Sequence, residues 1–233
     1  IKQAVELTQM GRADAVVTNP IHKDILYQSG FSYPGHTEYL ASLVNVKTEP
    51  VMMLTSERLR VIPVTRHVSI QTAINKLTPE LIIQTAVIAD NALRQDFGIP
   101  RPRIAIAALN PHAGEGGTMG SEEETCINPA IQILKAKGLL VTGPMPPDTL
   151  FHSQSRDTYD VVLCMYHDQA LIPIKTLDFD TAVNVTLGLP FVRTSPDHGT
   201  ALNIAGKGFA SENSLVAALK VANKIAYNRS RTT

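Results

Sequence analysis

The stretch VVLCMYH, residues 161–167, is a short apolar run that ends immediately before a histidine. Two other runs have the same arrangement: RVIPVT at 60–65 precedes His67, and IAIAAL at 104–109 precedes His112. Short apolar runs of this kind are typical of buried strands. If all three are strands of one largely parallel sheet, their carboxyl ends share an edge, and the three imidazoles can meet there.

Three neutral imidazoles suit a divalent metal such as Zn²⁺, Co²⁺ or Ni²⁺. Three protein ligands also leave coordination positions open for a substrate, as a catalytic site requires. The candidate metal ligands are therefore His67, His112 and His167. The alternative, that each is an ordinary surface or core histidine, is disfavoured by their shared position after a strand.

The rest of the chain alternates apolar runs with segments of helical periodicity, which indicates an α/β fold. Ser121 and Glu124 form a predicted capping box at the start of one helix. The sequence has no repeat and no long linker, so a second lobe has to arise within the same fold and not as a tethered module. The main predicted helices cover 2–10, 21–29, 79–97, 121–136 and 212–228.

The composition indicates a globular protein that binds a small molecule. The 233 residues are 44% hydrophobic, and 21 basic residues balance 21 acidic ones, so no charge excess attracts nucleic acid or an anionic membrane. Cys126 and Cys164 form no CxxC motif, which favours a reducing compartment, and we expect the cytoplasm. No apolar run reaches the roughly 20 residues of a membrane span.

Two further features indicate anion binding. The segment NPHAGEGG at 110–117 has three glycines that allow the backbone to approach a ligand closely, although it is not a dinucleotide-binding GxGxxG motif. Lys175 and Arg193 lie in later loops near His167, where Arg offers a bidentate fork and Lys a mobile point charge. A phosphate or a carboxylate could be held by these residues.

Five motifs stand in a characteristic order along the chain: TNPIHK (18–23), PGHTE (34–38), NPHAGEGG (110–117), MYHDQ (165–169) and VNVTLGLPFVRTSPDHGTA (183–201). Together they resemble the PdxA family of 4-hydroxythreonine-4-phosphate dehydrogenases. Members of that family are roughly a hundred residues longer at the N-terminus, and this chain starts without Met in a helical pattern. We therefore expect residues 1–233 to be a single α/β catalytic unit of two intertwined lobes that lacks such an N-terminal portion.

The resemblance implies roles for individual residues. His67, His112 and His167 match the family's metal ligands, and the third of them is expected from the other subunit of a homodimer whose active site lies at the interface. Asp148 and Lys175 are the candidate catalytic residues. The substrate-binding positions match His36, Thr37, Lys175, Asn184 and Arg193.

The loop DHGTALNIAGKG (197–208) is similar to the loop of isocitrate and isopropylmalate dehydrogenases that binds the adenosine end of NAD or NADP. It implies cofactor contacts from His198, Gly199 and Thr200. It also implies an α/β, two-lobed, isocitrate/isopropylmalate dehydrogenase-like fold with a mixed, largely parallel sheet and helices on both faces. Ala182 replaces an expected glycine nearby, which predicts some change in substrate fit.

The implied reaction is the oxidation of 4-phosphooxy-L-threonine by NAD or NADP, with a divalent metal (Zn, Co or Mg) and with decarboxylation to 3-amino-2-oxopropyl phosphate. Related enzymes that oxidise 4-phospho-D-erythronate, D-threonate or aromatic cis-dihydrodiols remain alternatives, and HVSI at 67–70 leans toward them. The cationic set of Lys175 and Arg193, with Asn184, favours a phosphorylated substrate. A metal-dependent hydrolase or a non-catalytic metal-binding protein would not need the DHGTA loop.

Overall fold

The computed structural model describes residues 1–28, 30–33, 35–44, 46 and 49–231, and the side chains of Lys23, Asp24, His36, Thr37 and Glu38 lie outside this description. The strands are β1 (Ala15–Val17), β2 (Val51–Thr55), β3 (Arg60–Pro63), β4 (Arg103–Ala107), β5 (Leu140–Met145), β6 (Val161–Cys164), β7 (Val183–Leu187) and β8 (Val192–Pro196). The α-helices are α1 (Lys2–Gln9), α2 (Lys23–Gln28), α3 (His36–Leu43), α4 (Ile70–Lys76), α5 (Pro79–Gln95), α6 (Asn128–Ala136), α7 (Pro147–Leu150), α8 (Ser153–Arg156), α9 (His167–Asp178) and α10 (Asn213–Ser230).

The chain divides into two compact units, residues 1–52 with 180–233, and residues 53–179. In the first unit, β8 pairs in parallel with β1 and antiparallel with β7. Helix α10 packs against these strands, and the Thr194 hydroxyl donates a hydrogen bond to the Ala218 carbonyl at 2.9 Å. A cluster of buried apolar side chains fills this unit: Val5, Val16, Leu40, Leu189 and Phe191.

The second unit holds the strands in the order β2-β3-β6-β4-β5. The β2–β3 pair is antiparallel, whereas β3–β6, β6–β4 and β4–β5 are parallel. All four residues of β6 are buried, as expected for a parallel strand covered on both faces, and for this reason the strand reads as one continuous apolar run. The expected mixed, largely parallel sheet with helices is confirmed.

The predicted helix at 79–97 is confirmed as α5. Its Thr78 hydroxyl accepts a hydrogen bond from the Leu81 amide at 3.2 Å, and Pro79 occupies the first turn, where no amide donor is needed. Among the described residues, no helix combines the length and the apolar character that crossing a bilayer would demand.

The segment predicted as one helix at 121–136 is helical from residue 122, but its first part is not an α-helix. A π-helical turn covers Glu123–Ile127, and α6 begins only at Asn128. Pro129 explains the change, because it has no amide to donate to the Thr125 carbonyl four residues earlier. The predicted capping box is also absent from this described segment, where no side chain caps the first turn.

An ion pair joins the starts of β4 and β6, at the amino edge of the second unit. Arg103 donates to Asp160 through Nε at 3.2 Å, Nη2 at 3.0 Å and its backbone amide at 2.8 Å. Burial opposes ionisation of Asp160, but the hydrogen bonds from Arg103 outweigh it and hold the pKa of this carboxyl below its usual value.

We expect Asp160→Asn to lower the free energy of unfolding at pH 7 by about 1–2 kcal/mol, because charge-assisted hydrogen bonds are lost. A carboxyl with a lowered pKa in the folded state stabilises the protein above its unfolded pKa of about 3.9, and this contribution disappears as the pH falls through the folded value. The difference between variant and unaltered protein in urea titrations should therefore shrink below about pH 4. Asp14→Asn, at an exposed side chain of the first unit, is the control; an equal difference at pH 3 and pH 7 would contradict the assignment.

Candidate functional site

The carboxyl ends of β3, β6 and β4 lie side by side in the second unit. β6 runs between the other two, with Leu163 opposite Ile62 of β3 and opposite Ile106 of β4. The predicted arrangement of these three strands is thus confirmed. The loops or helix that carry His67, His112 and His167 all start from this edge.

Two buried polar side chains fasten the three strand ends to one another. Gln169 accepts a hydrogen bond from the Met165 amide at 2.6 Å and donates one to the Ala108 carbonyl at 2.7 Å. The Thr65 hydroxyl donates to the Met165 carbonyl at 2.8 Å. Removing Gln169 would leave the buried Met165 amide and Ala108 carbonyl without these partners, whereas the Met165 carbonyl also accepts a hydrogen bond from the Thr65 amide at 3.3 Å. The histidine-bearing segments therefore start from fixed points.

The edge brings two of the three candidate ligands into contact. The ring centroids of His67 and His167 are 5.4 Å apart and the rings are inclined by 47°. His67 has a left-handed backbone, with φ of 52°, and His167 is the first residue of α9. Nδ1 of His167 lies 2.7 Å from a carboxylate oxygen of Asp168, so Nε2 is the ring nitrogen that could hold a metal ion.

The imidazoles of His67 and His167 are chemically suited to a transition metal, but two ligands from one chain are fewer than the three that a catalytic metal site commonly has. Imidazole nitrogens suit Zn²⁺ or Co²⁺, whereas Mg²⁺ prefers oxygen ligands. Among the described residues, no three His, Cys, Asp or Glu side chains are grouped closely enough to hold a metal ion, so His112 does not join the His67–His167 pair in a single chain. Burial raises the pKa of the nearby Cys164 thiol, which keeps it protonated and unsuited to metal binding.

His112 begins a turn of five consecutive residues with left-handed backbone. The φ angles are 52° at His112, 54° at Ala113, 76° at Gly114, 43° at Glu115 and 66° at Gly116. Three of these residues carry a Cβ, and the left-handed conformation costs such a residue roughly 1–2 kcal/mol. Strain of this kind persists only where the surroundings impose it, and it clusters at functional sites.

The surroundings that hold this turn are polar and buried. The side chain of Glu123, 2% exposed, accepts hydrogen bonds from the amides of Leu109 and Asn110, both at 2.8 Å. The Asn110 side chain donates to Glu123 at 2.9 Å and to Glu122 at 2.7 Å. The hydrogen bonds from Asn110 hold the pKa of Glu122 below its usual value.

The two candidate catalytic residues lie in different helices of the second unit. Asp148 is exposed in the first turn of α7, which follows β5, the neighbour of β4. Lys175 lies in the last turn of α9, and its Nζ is 5.8 Å from the centroid of the Phe179 ring.

The first unit carries the candidate anion-binding residues on β7 and β8. Arg193 is only 4% exposed, and its guanidinium donates to the hydroxyls of Thr186 at 3.0 Å and Thr18 at 2.9 Å. Asn184 lies opposite Ser195, and its buried Oδ1 has no hydrogen-bond partner among the described residues. Such an acceptor costs free energy unless something donates to it.

The loop after β8 carries the candidate cofactor residues. Nδ1 of the exposed His198 lies 2.9 Å from the Gly199 carbonyl, and a Cβ at Gly199 would meet no atom within 4 Å. Thr200 is partly buried, and Ala201 has a left-handed backbone. Of the predicted substrate residues, His36 and Thr37 begin α3, but their side chains lie outside the described part of the structure.

Several residues that shape the site were not predicted from the sequence. Thr18 and Gln169 lie inside motifs that were recognised, TNPIHK and MYHDQ, so their positions carried a signal. Glu123 and Thr65 carried none, because a glutamate in an acidic helix and a threonine at a strand end are commonplace. Thr186 lies seven residues before Arg193, on the adjacent strand.

Comparison with known proteins gives a consistent result along the chain. Residues 1–222 match the family described as "Pyridoxal phosphate biosynthetic protein PdxA". The chain is 58% identical over 229 residues to a 4-hydroxythreonine-4-phosphate dehydrogenase of Bradyrhizobium diazoefficiens, a match that covers 97% of this chain and 66% of the relative. The chain thus spans about two thirds of the length of this relative.

Solved structures agree with this result. A 4-hydroxythreonine-4-phosphate dehydrogenase from Klebsiella pneumoniae superposes with a TM-score of 0.89 at 45% identity, covering 97% of this chain and 67% of that one. A terephthalate 1,2-cis-dihydrodiol dehydrogenase from Burkholderia xenovorans is more distant, with a TM-score of 0.72 at 28% identity, covering 96% and 70%. A β-decarboxylating dehydrogenase from Thermococcus kodakarensis, with a TM-score of 0.54 at 15% identity and coverage of 100% and 73%, shares the fold alone.

We expect Gln169→Leu to destabilise the protein by about 2–5 kcal/mol, because the Met165 amide and the Ala108 carbonyl would be buried without partners. The free energy of unfolding from urea denaturation measures the effect. Gln154→Leu, at an exposed position in α8, is the matched control. Equal stability of the two variants would show that Gln169 does not fasten the strand ends.

Proposed function

The chain belongs to the PdxA family of pyridoxal phosphate biosynthetic proteins, and on this premise we propose that it oxidises 4-phosphooxy-L-threonine with NAD or NADP. The C3 hydroxyl becomes a ketone as its hydride passes to the nicotinamide. The resulting β-keto acid loses carbon dioxide and yields 3-amino-2-oxopropyl phosphate. The identities of 58% and 45% to dehydrogenases of this phosphorylated substrate, against 28% to a dihydrodiol dehydrogenase, support this choice of substrate.

The observation that carries the proposal is the contact between His67 and His167 at the carboxyl edge of the sheet. We propose that these residues and His112 bind Zn²⁺ or Co²⁺. When bound, such an ion lowers the pKa of the substrate hydroxyl and stabilises negative charge on the neighbouring oxygen as carbon dioxide leaves. Asp168 would hold the His167 ring so that Nε2 faces the ion.

The site would be completed by a second copy of the chain. A catalytic zinc site commonly has three protein ligands, yet in one chain the described residues place only His67 and His167 in contact. A homodimer in which a neighbouring copy supplies His112, and not His167 as the resemblance implies, reconciles the two facts. Formation of the homodimer and binding of the metal ion would then depend on each other.

The substrate phosphate would be bound by cationic residues. Arg193 donates hydrogen bonds to two threonine hydroxyls, so its guanidinium is held in one orientation before the substrate arrives. Lys175 adds a second positive charge. The buried Oδ1 of Asn184 is an acceptor that a hydroxyl or amino group of the substrate would satisfy, and we assign His36 and Thr37 to the same substrate on the strength of the motif.

Proton transfer and cofactor binding are assigned to exposed groups. We propose that a carboxylate oxygen of Asp148 accepts the proton of the C3 hydroxyl, while Lys175 balances the charge. His198, Gly199 and Thr200 would contact the adenosine end of the nicotinamide cofactor, and the open space at Gly199 allows a close approach. The free thiols Cys126 and Cys164 support a cytoplasmic enzyme.

We expect His112→Ala and His167→Ala to bind well below one metal ion per chain and to lose nearly all activity, because a catalytic metal site would drop to two ligands. Elemental analysis measures the metal, and NADH or NADPH formation at 340 nm measures turnover of 4-phosphooxy-L-threonine. His152→Ala is the control, since His152 hydrogen bonds to Ser155 in α8, away from the strand edge. Normal metal content in both variants would refute the assignment of the metal ligands. If the unaltered protein oxidised a cis-dihydrodiol and not 4-phosphooxy-L-threonine, the proposed substrate would be refuted.

We expect Arg193→Lys to raise KM for the phosphorylated substrate about 10-fold or more with a smaller change in kcat, because lysine keeps the charge and loses the bidentate fork. Steady-state kinetics with the phosphate ester measures both constants. Arg12→Lys, at an exposed position of the same unit, is the control. An unchanged KM would mean that the phosphate binds elsewhere.

A further inference from the structure

We propose that Glu123 is a positioning residue for His112. Its buried carboxylate holds the left-handed turn of residues 112–116, and that turn sets the direction in which the His112 imidazole leaves the strand edge. The inference rests on the proposed role of His112 as a metal ligand. It adds a residue from a different element, the π-helical turn Glu123–Ile127, to the machinery of the site.

The hydrogen bonds described for the Glu123 side chain all come from residues at the start of the segment that carries His112. One carboxylate oxygen accepts the amides of Leu109 and Asn110, the two residues that leave the end of β4. The other accepts the Asn110 side-chain amide at 2.9 Å. The chain is thus held by three hydrogen bonds immediately before Pro111 and His112, so the carboxylate fixes where the turn begins.

The turn and the carboxylate also fit each other sterically. A Cβ on Gly114, at the centre of the turn, would lie 2.7 Å from Oε2 of Glu123. A Cβ on Gly120, four residues after the turn, would clash with the Asn110 side-chain nitrogen. Both glycines therefore leave room for the hydrogen-bonded Asn110–Glu123 pair. The left-handed turn brings Gly114 and Gly120 against the Asn110–Glu123 pair. This contact explains how the strain at the Cβ-bearing residues of the turn is maintained.

Glu123 offers two acceptor oxygens to three N–H donors, which no neutral side chain of the same shape can match. Burying an acidic side chain is costly, and none of the hydrogen bonds described for Glu123 comes from Lys or Arg. Buried polar groups that are expensive and fully hydrogen-bonded tend to specify one geometry. Here the specified geometry is that of a turn that begins at a candidate metal ligand.

The variant Glu123→Gln tests this proposal in the intact protein. Glutamine has the same shape, but one of its two terminal atoms donates, so one of the donors from Leu109 or Asn110 must face another donor. Glu124→Gln is the matched control, because Glu124 is the adjacent acidic residue and is exposed. Asn110→Ala is the second variant, which removes only side-chain hydrogen bonds to Glu122 and Glu123 and serves if Glu123→Gln does not fold.

Two readouts are measured. In the metal-free protein, hydrogen exchange of the amides of residues 112–119 should become about 10-fold faster or more, while exchange in β4 and β6 stays unchanged. In the presence of Co²⁺, the visible absorption spectrum should change, and the Kd for Co²⁺ should rise about 10- to 100-fold. Glu124→Gln should alter neither. The Co²⁺ spectrum reports ligand number and geometry, which loss of stability alone would not change.

The results separate this proposal from the proposed function. If Glu123→Gln and Asn110→Ala keep the exchange rates and Co²⁺ spectrum of the unaltered protein, while His112→Ala loses the spectrum, Glu123 does not position His112. If exchange accelerates but the spectrum and Kd stay unchanged, Glu123 holds the turn without directing the ligand, and the proposal is again overturned. If the unaltered protein binds no Co²⁺, the proposed metal site itself fails.

Discussion

The hydrogen bonds that Gln169 and Thr65 make at the carboxyl edge of the second unit are the constraint on which the rest of the site depends. A parallel sheet aligns its strands but leaves the last backbone groups of each strand without partners. Gln169 supplies partners for the Met165 amide and the Ala108 carbonyl, and the Thr65 hydroxyl adds to the backbone bond that the Met165 carbonyl already accepts, so the three strand ends are joined to one another. The contact between His67 and His167 is possible because both segments leave the sheet from points that cannot move apart.

Other parts of the molecule show the same contrast between apolar burial and a few polar contacts. Apolar burial in β6 and its neighbours provides most of the stability, whereas a few buried polar groups determine geometry. Glu123 does this for the segment before His112, and the hydroxyls of Thr18 and Thr186 do it for Arg193. In each case a side chain or segment of the candidate site is held by hydrogen bonds to a polar neighbour. Preorganisation of this kind reduces the entropy that would otherwise be lost on binding.

The sequence predicted the parts of this arrangement that depend on local pattern. The apolar runs before His67, His112 and His167 identify three strands because buried parallel strands have a recognisable composition, and Thr78-Pro79 marks the start of α5. The left-handed turn was beyond such reasoning. Its glycines indicated freedom, but nothing local places Ala113 or Glu115 in that conformation, since the cause is a carboxylate in a later element. The sequence does not predict the π-helical turn, because Ser121 and Glu124 indicate an ordinary helix start and Pro129 is also common in the first turn of an α-helix. The boundaries at 52/53 and 179/180 coincide with no change in composition, so the division into two units had no local mark.

The hydrogen bonds at the strand edge join residues that are far apart along the chain, 100 positions in the case of Thr65 and Met165 and 61 for Gln169 and Ala108. Contacts of such long range form late in folding, because the entropy of closing large loops has to be overcome first. A newly made chain would consequently present these histidines separately, and the proposed metal site would form only once the sheet is complete. The metal ion would then bind after folding and would not direct it. Before the sheet is complete the chain has no preformed site, so an ion could not hold it in a misfolded form there.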